Sequence, residues 1–415
     1  MSRAGQETAH PSPPADGGRG KPLRLWPRLR LDIGLTDIAF ALRACLRPVP
    51  ATEARVLEAW DRGDECMACL SVRSAFDLVL QALPTPERDE VVFSALTHPD
   101  MVRIAEAHQL KPVPLDIDLE TLAPQTQRLE DVISARTRVV VVAHLFGTRV
   151  DLTPIAALAA QAGALLVEDS AQRLRGPGQG GDPLADVSLF SLGPIKTATA
   201  LGGALVEVRD PHLLKRMRAI EASWPRQSRW TYLARVVRFA GLLAIANPRA
   251  YWLLDRILTL SGRDLDRVVT TAVRGFRSDL LRRIRQRPSL PLLAVMERRL
   301  RGFDKTRLAA RTELATTFSA GLSPAVDRPG RRAIGGCDWV FPVLVDDPVR
   351  VRSALLQERF DSSSATTSIT AVPASVTAER FLAHVVFLPL YPELPESERA
   401  SLANAITQAV SVGHS

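Results

Sequence analysis

The sequence lacks long hydrophobic runs: none reaches the roughly 20 residues that a membrane-spanning helix needs. It also begins without the apolar stretch of a secretory signal, since residues 1–22 are MSRAGQETAHPSPPADGGRGKP. The proline, glycine and serine of this segment predict a disordered tail. We therefore expect a cytoplasmic protein with no integral membrane domain.

Cysteine is scarce, with four residues in a chain of 415. Cys66 and Cys69 form a CxxC pair, but neither a second pair nor a nearby histidine completes a zinc site. The pair could be structural or could serve metal or redox chemistry, and we favour the structural interpretation. We accordingly predict no metal and a reducing compartment.

Positive charge exceeds negative charge, with 53 lysines and arginines against 45 acidic residues. The excess concentrates between Lys215 and Arg311, where arginine recurs every few residues. Such a segment could contact nucleic acid, anionic lipid or a phosphorylated substrate, although solvated helix faces are the common explanation. No nucleic-acid-binding motif accompanies it, so we expect no nucleic-acid partner.

The remaining sequence predicts a large α/β core. Helical and strand patterns alternate from about residue 55 to 208, which is typical of a parallel sheet with helices on both faces. The near-continuous valine of TRVVVVAHLFG (137–147) indicates a strand covered on both sides. We predict four parts: a disordered tail (1–22), a large domain with an N-terminal arm (23–210), an arginine-rich helical segment (211–320) and a small C-terminal α+β domain (321–415).

Polar residues follow neighbouring strands of this predicted sheet. Asp169 closes ALLVED, Ser191 closes DVSLFS, and the lone Lys196 comes five residues after Ser191 among small residues. Ligands of open α/β sheets bind beyond the carboxyl ends of the strands. A helix beginning near Arg73 and Ser74 adds free backbone N–H groups and a positive dipole end, which suit a phosphate.

Pyridoxal phosphate needs this combination of groups. It takes a lysine amine for its aldehyde, a carboxylate for its ring nitrogen, and a hydroxyl and helix amides for its phosphate. Taken singly, a strand-end aspartate is commonly a helix cap, and a loop lysine is commonly solvated. Their order and spacing together favour the cofactor.

Several ordered motifs carry a resemblance to a known family. They are VEDSAQ (167–172), ADVSLFSLGPIK (185–196), LPLYPELPESE (388–398) and VVVAHLFGTRVDLTPI (140–155). The sequence resembles the DegT/DnrJ/EryC1/StrS aminotransferases from about Leu70 to the C-terminus. The resemblance implies a pyridoxal-phosphate-dependent transferase of fold type I, with a mostly parallel central sheet and a smaller C-terminal α+β domain.

The resemblance also implies roles for individual residues. Lys196 would bond covalently to the cofactor and shuttle protons once released, Asp169 would pair with the pyridine nitrogen, and Gln172 would contact the ring hydroxyl oxygen. A lysine at position 196 favours amine transfer, because some relatives with histidine there eliminate water.

The remaining roles concern the phosphate and the ring face. Ser191 would bind the phosphate together with Arg73 and Ser74, where arginine replaces a small family residue. His98 falls where the family places an aromatic ring that stacks on the cofactor. Taken by itself, a histidine at this position is more commonly an ordinary loop residue.

The segment 224–285 departs most from the family. Its aromatic and arginine residues predict either a helical insertion packed on the body or a second subunit, or an amphipathic element within 224–262 seated on an anionic membrane. In the family's NYRMSE stretch, whose Asn and Arg reach a neighbouring subunit's site, Arg287 keeps the arginine as a candidate substrate residue, while Arg285 replaces the asparagine. A family substrate loop appears as SSSATTSITAVP (362–373), which departs from the pattern for a nucleotide sugar.

These observations predict an aminotransferase, expected as a homodimer, that moves an amino group from glutamate to a keto or aldehyde group of a sugar or polyol in two half-reactions. The setting would be polysaccharide or secondary metabolite biosynthesis. Two alternatives stay open: a pyridoxal-phosphate lyase or dehydratase, and a non-catalytic sensor or scaffold on the same fold.

Overall fold

The computed structural model describes residues 23–28, 30–84, 88–266, 268–269, 279–336, 338–364 and 369–411. The predicted disordered tail, Cys337 and part of the segments 224–285 and 362–373 lie outside these described residues.

Seven strands form the central sheet, in the order β1-β8-β7-β6-β5-β2-β4. Only β8 in this sheet runs antiparallel to its neighbours, so the sheet is mostly parallel, as predicted. The strands of the described chain are β1 (Cys66–Cys69), β2 (Glu90–Ser94), β3 (Leu96–Thr97), β4 (Lys111–Leu115), β5 (Thr137–Ala143), β6 (Leu165–Asp169), β7 (Val187–Ser191), β8 (Ala204–Val208), β9 (Phe341–Leu344), β10 (Thr370–Ala371) and β11 (Val385–Leu388).

Helices cover both faces of the sheet and build the rest of the body. They are α1 (Leu35–Leu46), α2 (Glu53–Trp60), α3 (Val72–Ala82), α4 (Pro99–Ala107), α5 (Leu129–Val132), α6 (Thr153–Ala162), α7 (Pro211–Ala222), α8 (Arg229–Ile245), α9 (Pro248–Leu260), α10 (Leu280–Ile284), α11 (Leu290–Arg301), α12 (Lys305–Gly321), α13 (Pro348–Gln357), α14 (Val376–His384) and α15 (Glu396–Ser411).

The valines of β5 show why the sheet is covered twice. Side chains alternate between the two faces of a strand, so successive valines enter different cores. Val139 and Val141 pack in a cluster with residues of α3, α4 and α7, whereas Val140 and Val142 pack with α5 and α6. The fold is therefore an α/β fold with helices on both faces, which confirms the prediction.

A smaller α+β unit follows the helical segment. Strands β9 and β11 pair antiparallel, from Phe341 opposite Leu388 to Leu344 opposite Val385. Their core includes residues of α12, α13 and α15. The short pair of β3 with β10 joins this part of the chain to the large sheet. The four-part division of the chain remains a prediction.

The divergent segment packs on the body through one face of its helices. Tyr232, Val236 and Phe239 of α8 are buried in the core beside α1 and α11, and Tyr251 of α9 is buried as well. The first of the two interpretations, packing on the body, therefore describes α8. No helix among the described residues is long and apolar enough to cross a membrane.

The CxxC pair lies within strand β1, where residues three apart point to opposite faces. Cys66 belongs to the core under α1 and α2, and Cys69 to the core under α3. Both thiols are free and buried, and their pKa values are raised by burial. This geometry agrees with structural cysteines, because the two sulfurs face away from each other.

Candidate active site

The predicted polar groups meet at the carboxyl edge of the sheet. Asp169 ends β6 and Ser191 ends β7, and these two strands are hydrogen-bonded neighbours. Both residues are 8% exposed, so each reaches the cleft from a buried position. Lys196 is half-buried in the turn that leaves β7. Adjacent parallel strands place their ends together, which is why the sequence order predicted this cluster.

The turn that carries Lys196 is held by its own backbone. The Gly193 N–H donates to the Ser191 hydroxyl oxygen over 3.2 Å, and the Lys196 N–H donates to the Gly193 carbonyl over 3.0 Å. Further on, the Gly203 N–H donates to the Leu70 carbonyl, next to the start of α3. Gly203 has φ +87°, and a Cβ there would lie 2.5 Å from the Met296 sulfur, so the close approach requires glycine.

The environment of the lysine favours its neutral form. Burial lowers the pKa of Lys196 to about 7, the carboxylate of Asp169 opposes this shift, and Arg73 adds to it. Burial also raises the pKa of Asp169, against a 2.9 Å hydrogen bond from the Ala171 N–H and the charge of Lys196. An amine that is partly neutral near pH 7 can attack a carbonyl carbon.

The N-terminus of α3 lies beside this lysine turn. Ser71 caps the helix by accepting from the Ser74 N–H, and the two hydroxyls are 2.9 Å apart. The first turn contains no acidic residue, so its positive dipole end is unopposed. Arg73 pairs with Asp100 over 2.8 Å, and its charge lowers the pKa of both Lys196 and His98. Arg73 thus lies near Lys196, while Ser74 is fully buried at the start of α3, and their binding of a phosphate stays a prediction.

His98 is the residue that caps helix α4. Its Nδ1 accepts from the Asp100 N–H over 3.1 Å, which fixes the ring orientation. Burial lowers its pKa, and the charges of Arg73 and Lys196 lower it further against the pull of Asp100. His98 therefore lies near the lysine as a neutral ring, and its stacking on a cofactor stays a prediction.

Gln172 is oriented by a backbone group. Its Oε1 accepts from the Phe146 N–H over 2.7 Å. Phe146 has φ 57°, in the left-handed region, so the loop after β5 is bent to present this N–H. Because the amide oxygen is engaged, the NH2 group is the donor that Gln172 can offer to an oxygen in the cleft.

A buried network behind Asp169 was not assigned from the sequence. His144 Nε2 contacts Glu168 Oε1 at 2.7 Å, while its Nδ1 accepts from the Val150 N–H. The ring proton is therefore on Nε2 and is donated to Glu168. Strand alternation would have indicated that Glu168 faces away from its neighbour Asp169, but it could not identify the partners.

The smaller unit contributes a second group that the sequence did not reveal. Trp339 donates from Nε1 to the Ile195 carbonyl over 3.2 Å, and the Lys196 ammonium nitrogen lies 3.8 Å from the centre of its ring. Arg311 donates to the Thr197 hydroxyl and to the Trp339 carbonyl. These contacts fix the lysine turn from the opposite side of the cleft.

Arg287 is not part of this cluster. Its Nε donates to the Trp224 carbonyl, and it lines a separate cavity at the edge of the sheet. Arg285 forms a two-bond ion pair with the buried Asp77, at 2.9 and 3.0 Å. Within the described chain Arg285 is therefore anchored to α3, and contact of Arg287 with a substrate remains a prediction.

The cluster fits pyridoxal phosphate by the chemistry of its donors. It offers an amine with a lowered pKa, a buried carboxylate, an amide NH2 group, and a hydroxyl near the N-terminus of α3, where helix geometry leaves first-turn N–H groups other than that of Ser74 without a partner inside the helix. These groups come from different segments of the chain, and Asp169, Arg73 and His98 lie close enough to Lys196 for their charges to interact.

Residues 53–236 match the model of the DegT/DnrJ/EryC1/StrS aminotransferase family. The matched segment of the chain includes Asp169, Ser191 and Lys196, and it ends within α8.

Among known proteins, the chain is 32% identical over 184 residues to the UDP-N-acetyl-3-dehydro-alpha-D-glucosamine 3-aminotransferase of Acidithiobacillus ferrooxidans, which covers 41% of this chain and 49% of that protein. It is 28% identical over 215 residues to the L-glutamine:2-deoxy-scyllo-inosose aminotransferase of Streptomyces kanamyceticus, covering 49% and 50%. The chain thus spans about half the length of the curated relatives it matches.

Solved structures show the same fold over nearly the whole chain. The aminotransferase TlmJ from Streptoalloteichus hindustanus superposes with a TM-score of 0.67 at 19% identity, covering 94% of this chain and 99% of that one. The agreement establishes the type I fold of the pyridoxal-phosphate-dependent transferases. It includes the part of the chain beyond the segment that matches the family.

Proposed function

We propose that the protein is a pyridoxal-phosphate-dependent aminotransferase that transfers an amino group from glutamate to a keto or aldehyde group of a sugar or polyol. The observation that carries the proposal is Lys196, whose pKa is lowered to about 7 beside Asp169, Ser191 and the start of α3. The family match supports amine transfer, and the names of the two curated relatives support a sugar or cyclitol acceptor.

Each residue would hold one part of the cofactor. Asp169 would pair with the ring nitrogen, the NH2 group of Gln172 would donate to the ring oxygen, and His98 would stack on the ring. The phosphate would bind Ser191, Ser74, Arg73 and the first amides of α3. When bound, pyridoxal phosphate supplies an electron-withdrawing ring and a carrier for the amino group between donor and acceptor.

Lys196 would act twice in this scheme. Its neutral amine would first attach to the cofactor, and, once released, it would move a proton at the substrate carbon. Trp339 and Arg311 would keep the lysine turn in place during both events, because they hold Ile195 and Thr197 on either side of Lys196. The side chain could then move while the backbone around it remains fixed.

The test is the visible absorption spectrum of the purified protein with pyridoxal phosphate, before and after glutamate. We expect a band that bleaches on adding glutamate and that is absent from Lys196→Ala. A mixture in which the band persists with every amino donor, while a substrate loses water or carbon dioxide, would indicate lyase or dehydratase chemistry. Cofactor binding without turnover of any donor would instead favour a sensor or scaffold.

We also propose a homodimer. The support is the resemblance to a family whose NYRMSE stretch reaches a neighbouring subunit's site. Light scattering after size-exclusion chromatography measures the mass.

A peripheral membrane contact through 224–262 is a second element of the proposal. Leu253, Ile257 and Leu260 are 54%, 55% and 87% exposed on one face of α9, and Arg249 is exposed on the same helix. An apolar face with flanking arginine suits an anionic lipid surface.

Vesicle flotation with and without phosphatidylserine tests this contact. Leu253→Glu with Leu260→Glu should abolish flotation on the anionic vesicles. Leu184→Glu, a change at an exposed leucine outside the segment, serves as the matched control. Equal flotation of all three proteins would refute the membrane contact.

A further inference from the structure

A second cavity lies at the edge of the central sheet, apart from Lys196. It has a volume of about 210 Å³ and lies between the start of α2, strand β1, the end of α7 and the start of α11. Its charged lining consists of Glu53, Glu221, Arg226 and Arg287. None of the residues proposed to hold the cofactor lines this cavity. The candidate substrate residue Arg287 does line it.

Glu221 is the group that marks this cavity as a binding site. Its side chain is buried, with the residue 6% exposed, and its Oε1 has no hydrogen-bond partner in the described structure. It also lies in the last turn of α7, where the helix dipole disfavours a negative charge. Burial raises the pKa of Glu221 to about 8, and Glu53 adds to the shift against Arg287 and Arg226. A buried carboxyl oxygen without a partner normally implies a missing donor.

Glu53 supplies a second carboxylate from a different element. It is the first residue of α2, and its Oε1 accepts from the Ala68 N–H of strand β1 over 2.9 Å. This bond covers the free edge of β1 and holds the Glu53 side chain over the cavity. The two carboxylates therefore define one acidic wall, built by α2 and α7.

The two arginines of the lining are anchored by backbone carbonyls. Arg226 donates from Nη1 to the Pro288 carbonyl over 2.8 Å, and Arg287 donates from Nε to the Trp224 carbonyl over 3.0 Å. Each guanidinium has five N–H donors, so these bonds orient the group and leave others for an anion. The lining thus combines two acids and two bases around one space.

We propose that this cavity binds a small zwitterion of the amino-acid class, with its ammonium group on Glu221 and Glu53 and its carboxylate on Arg226 and Arg287. The ammonium would supply the donors that Glu221 lacks, and its charge would favour the ionised form of that carboxyl. The site is distinct from the one that holds Lys196, and the inference does not depend on the proposed aminotransferase activity. Strand β1 connects the two, because Ala68 lines the cavity and Ser71 caps α3 three residues later.

The test uses isothermal titration of the full-length protein loaded with pyridoxal phosphate. The probe is 2-aminoisobutyrate, which has no hydrogen on its central carbon and so cannot lose a proton there. Isobutyrate lacks its ammonium group, and isopropylamine lacks its carboxylate. We expect the zwitterion to bind roughly tenfold or more tightly than either of these two compounds. Equal binding of all three, or no binding, would overturn the proposal.

Glu221→Gln is the decisive variant, because it keeps the shape and removes the carboxyl group that would ionise when the ammonium binds. We expect it to weaken probe binding roughly tenfold or more while the protein stays folded. Glu58→Gln, on the exposed side of α2 and outside the cavity, is the matched control and should bind normally. Unchanged binding by Glu221→Gln would assign the residue a merely structural role and overturn the proposal.

Lys196→Ala separates the cavity from the catalytic centre. It should lose the visible band and retain probe binding, whereas loss of both would place the probe at the lysine and overturn the proposal. A protein whose band bleaches with glutamate but which binds no probe would refute the cavity alone. Probe binding by a protein without amine transfer would refute the proposed function alone.

Discussion

Glu168 and Glu221 are buried to similar degrees, 2% and 6% exposed, yet their pKa values are shifted in opposite directions. Burial would raise the pKa of Glu168, but hydrogen bonds from His144, Ser188 and the Asp182 N–H lower it to about 2. Burial raises the pKa of Glu221 to about 8, since it has no such donors. The difference shows that the partners of a buried acid, rather than its depth, decide its charge.

The two regions therefore differ in completeness. At the carboxyl edge of β6, the network around Glu168 is satisfied within the chain and holds the strand that carries Asp169. At the edge of β1, Glu221 Oε1 has no hydrogen-bond partner among the described residues, and it lines a cavity with room for one. The first arrangement suits a rigid support for chemistry, and the second suits a ligand.

The largest expected effect is that of Glu168→Gln on stability. The amide cannot accept from all the groups that now donate to the carboxylate, and one buried donor loses its partner. We expect the free energy of unfolding to fall by about 3 kcal/mol, measured by urea denaturation at neutral pH. A change below ~1 kcal/mol would mean that the network contributes little beyond packing.

Glu221→Gln should have a smaller effect of opposite sign. Because the folded pKa of Glu221 lies above its unfolded value, folding favours the protonated acid. That contribution is complete below about pH 4.5 and is lost as the pH rises toward about 8. The variant should therefore be more stable than the original protein at pH 8, by ~2 kcal/mol. Parallel stability profiles of the two proteins over this range would contradict the assignment.

The surroundings of Lys196 are intermediate between those of Glu168 and Glu221. Its side chain is half-buried, with one carboxylate and one arginine nearby. The rate at which the visible band forms with pyridoxal phosphate should rise with pH and level off above about 7, as the amine loses its proton. Arg73→Gln removes a charge that lowers the pKa of Lys196, so the midpoint should move to higher pH. Arg103→Gln, whose side chain is 57% exposed, is the control and should leave the midpoint in place.

Trp339→Phe should give the smallest change. The variant keeps an aromatic ring near Lys196 and loses the hydrogen bond from Nε1 to the Ile195 carbonyl. We expect a loss of about 1 kcal/mol in the free energy of unfolding, and weaker cofactor binding. Trp230→Phe, at an exposed position, should change neither quantity.

Much of the fold and part of the candidate site followed from local sequence. The valines of β5 predicted a strand covered on both faces, and they pack into two different cores. Asp169 and Ser191 could be placed together because consecutive parallel strands end at one edge. These features depend on periodicity and backbone chemistry, which short segments express by themselves.

Other parts of the site depended on contacts between distant segments. Trp339 reaches Lys196 across 143 positions of the chain, and Glu53 meets Glu221 from a different helix. Arg285 had been aligned with a residue expected to serve a partner, yet it binds Asp77 of its own chain. No local pattern encodes such pairs, because a side chain's partner is set by how the elements pack.

The sequence by itself determined the α/β alternation, the strand-end positions of Asp169 and Ser191, and the lone lysine between two strands. Only the tertiary structure decided the charge state of each buried group and the existence of the cavity beside β1. The physical reason is that periodicity acts within a segment, whereas desolvation and charge pairing act between segments that meet only in the folded chain.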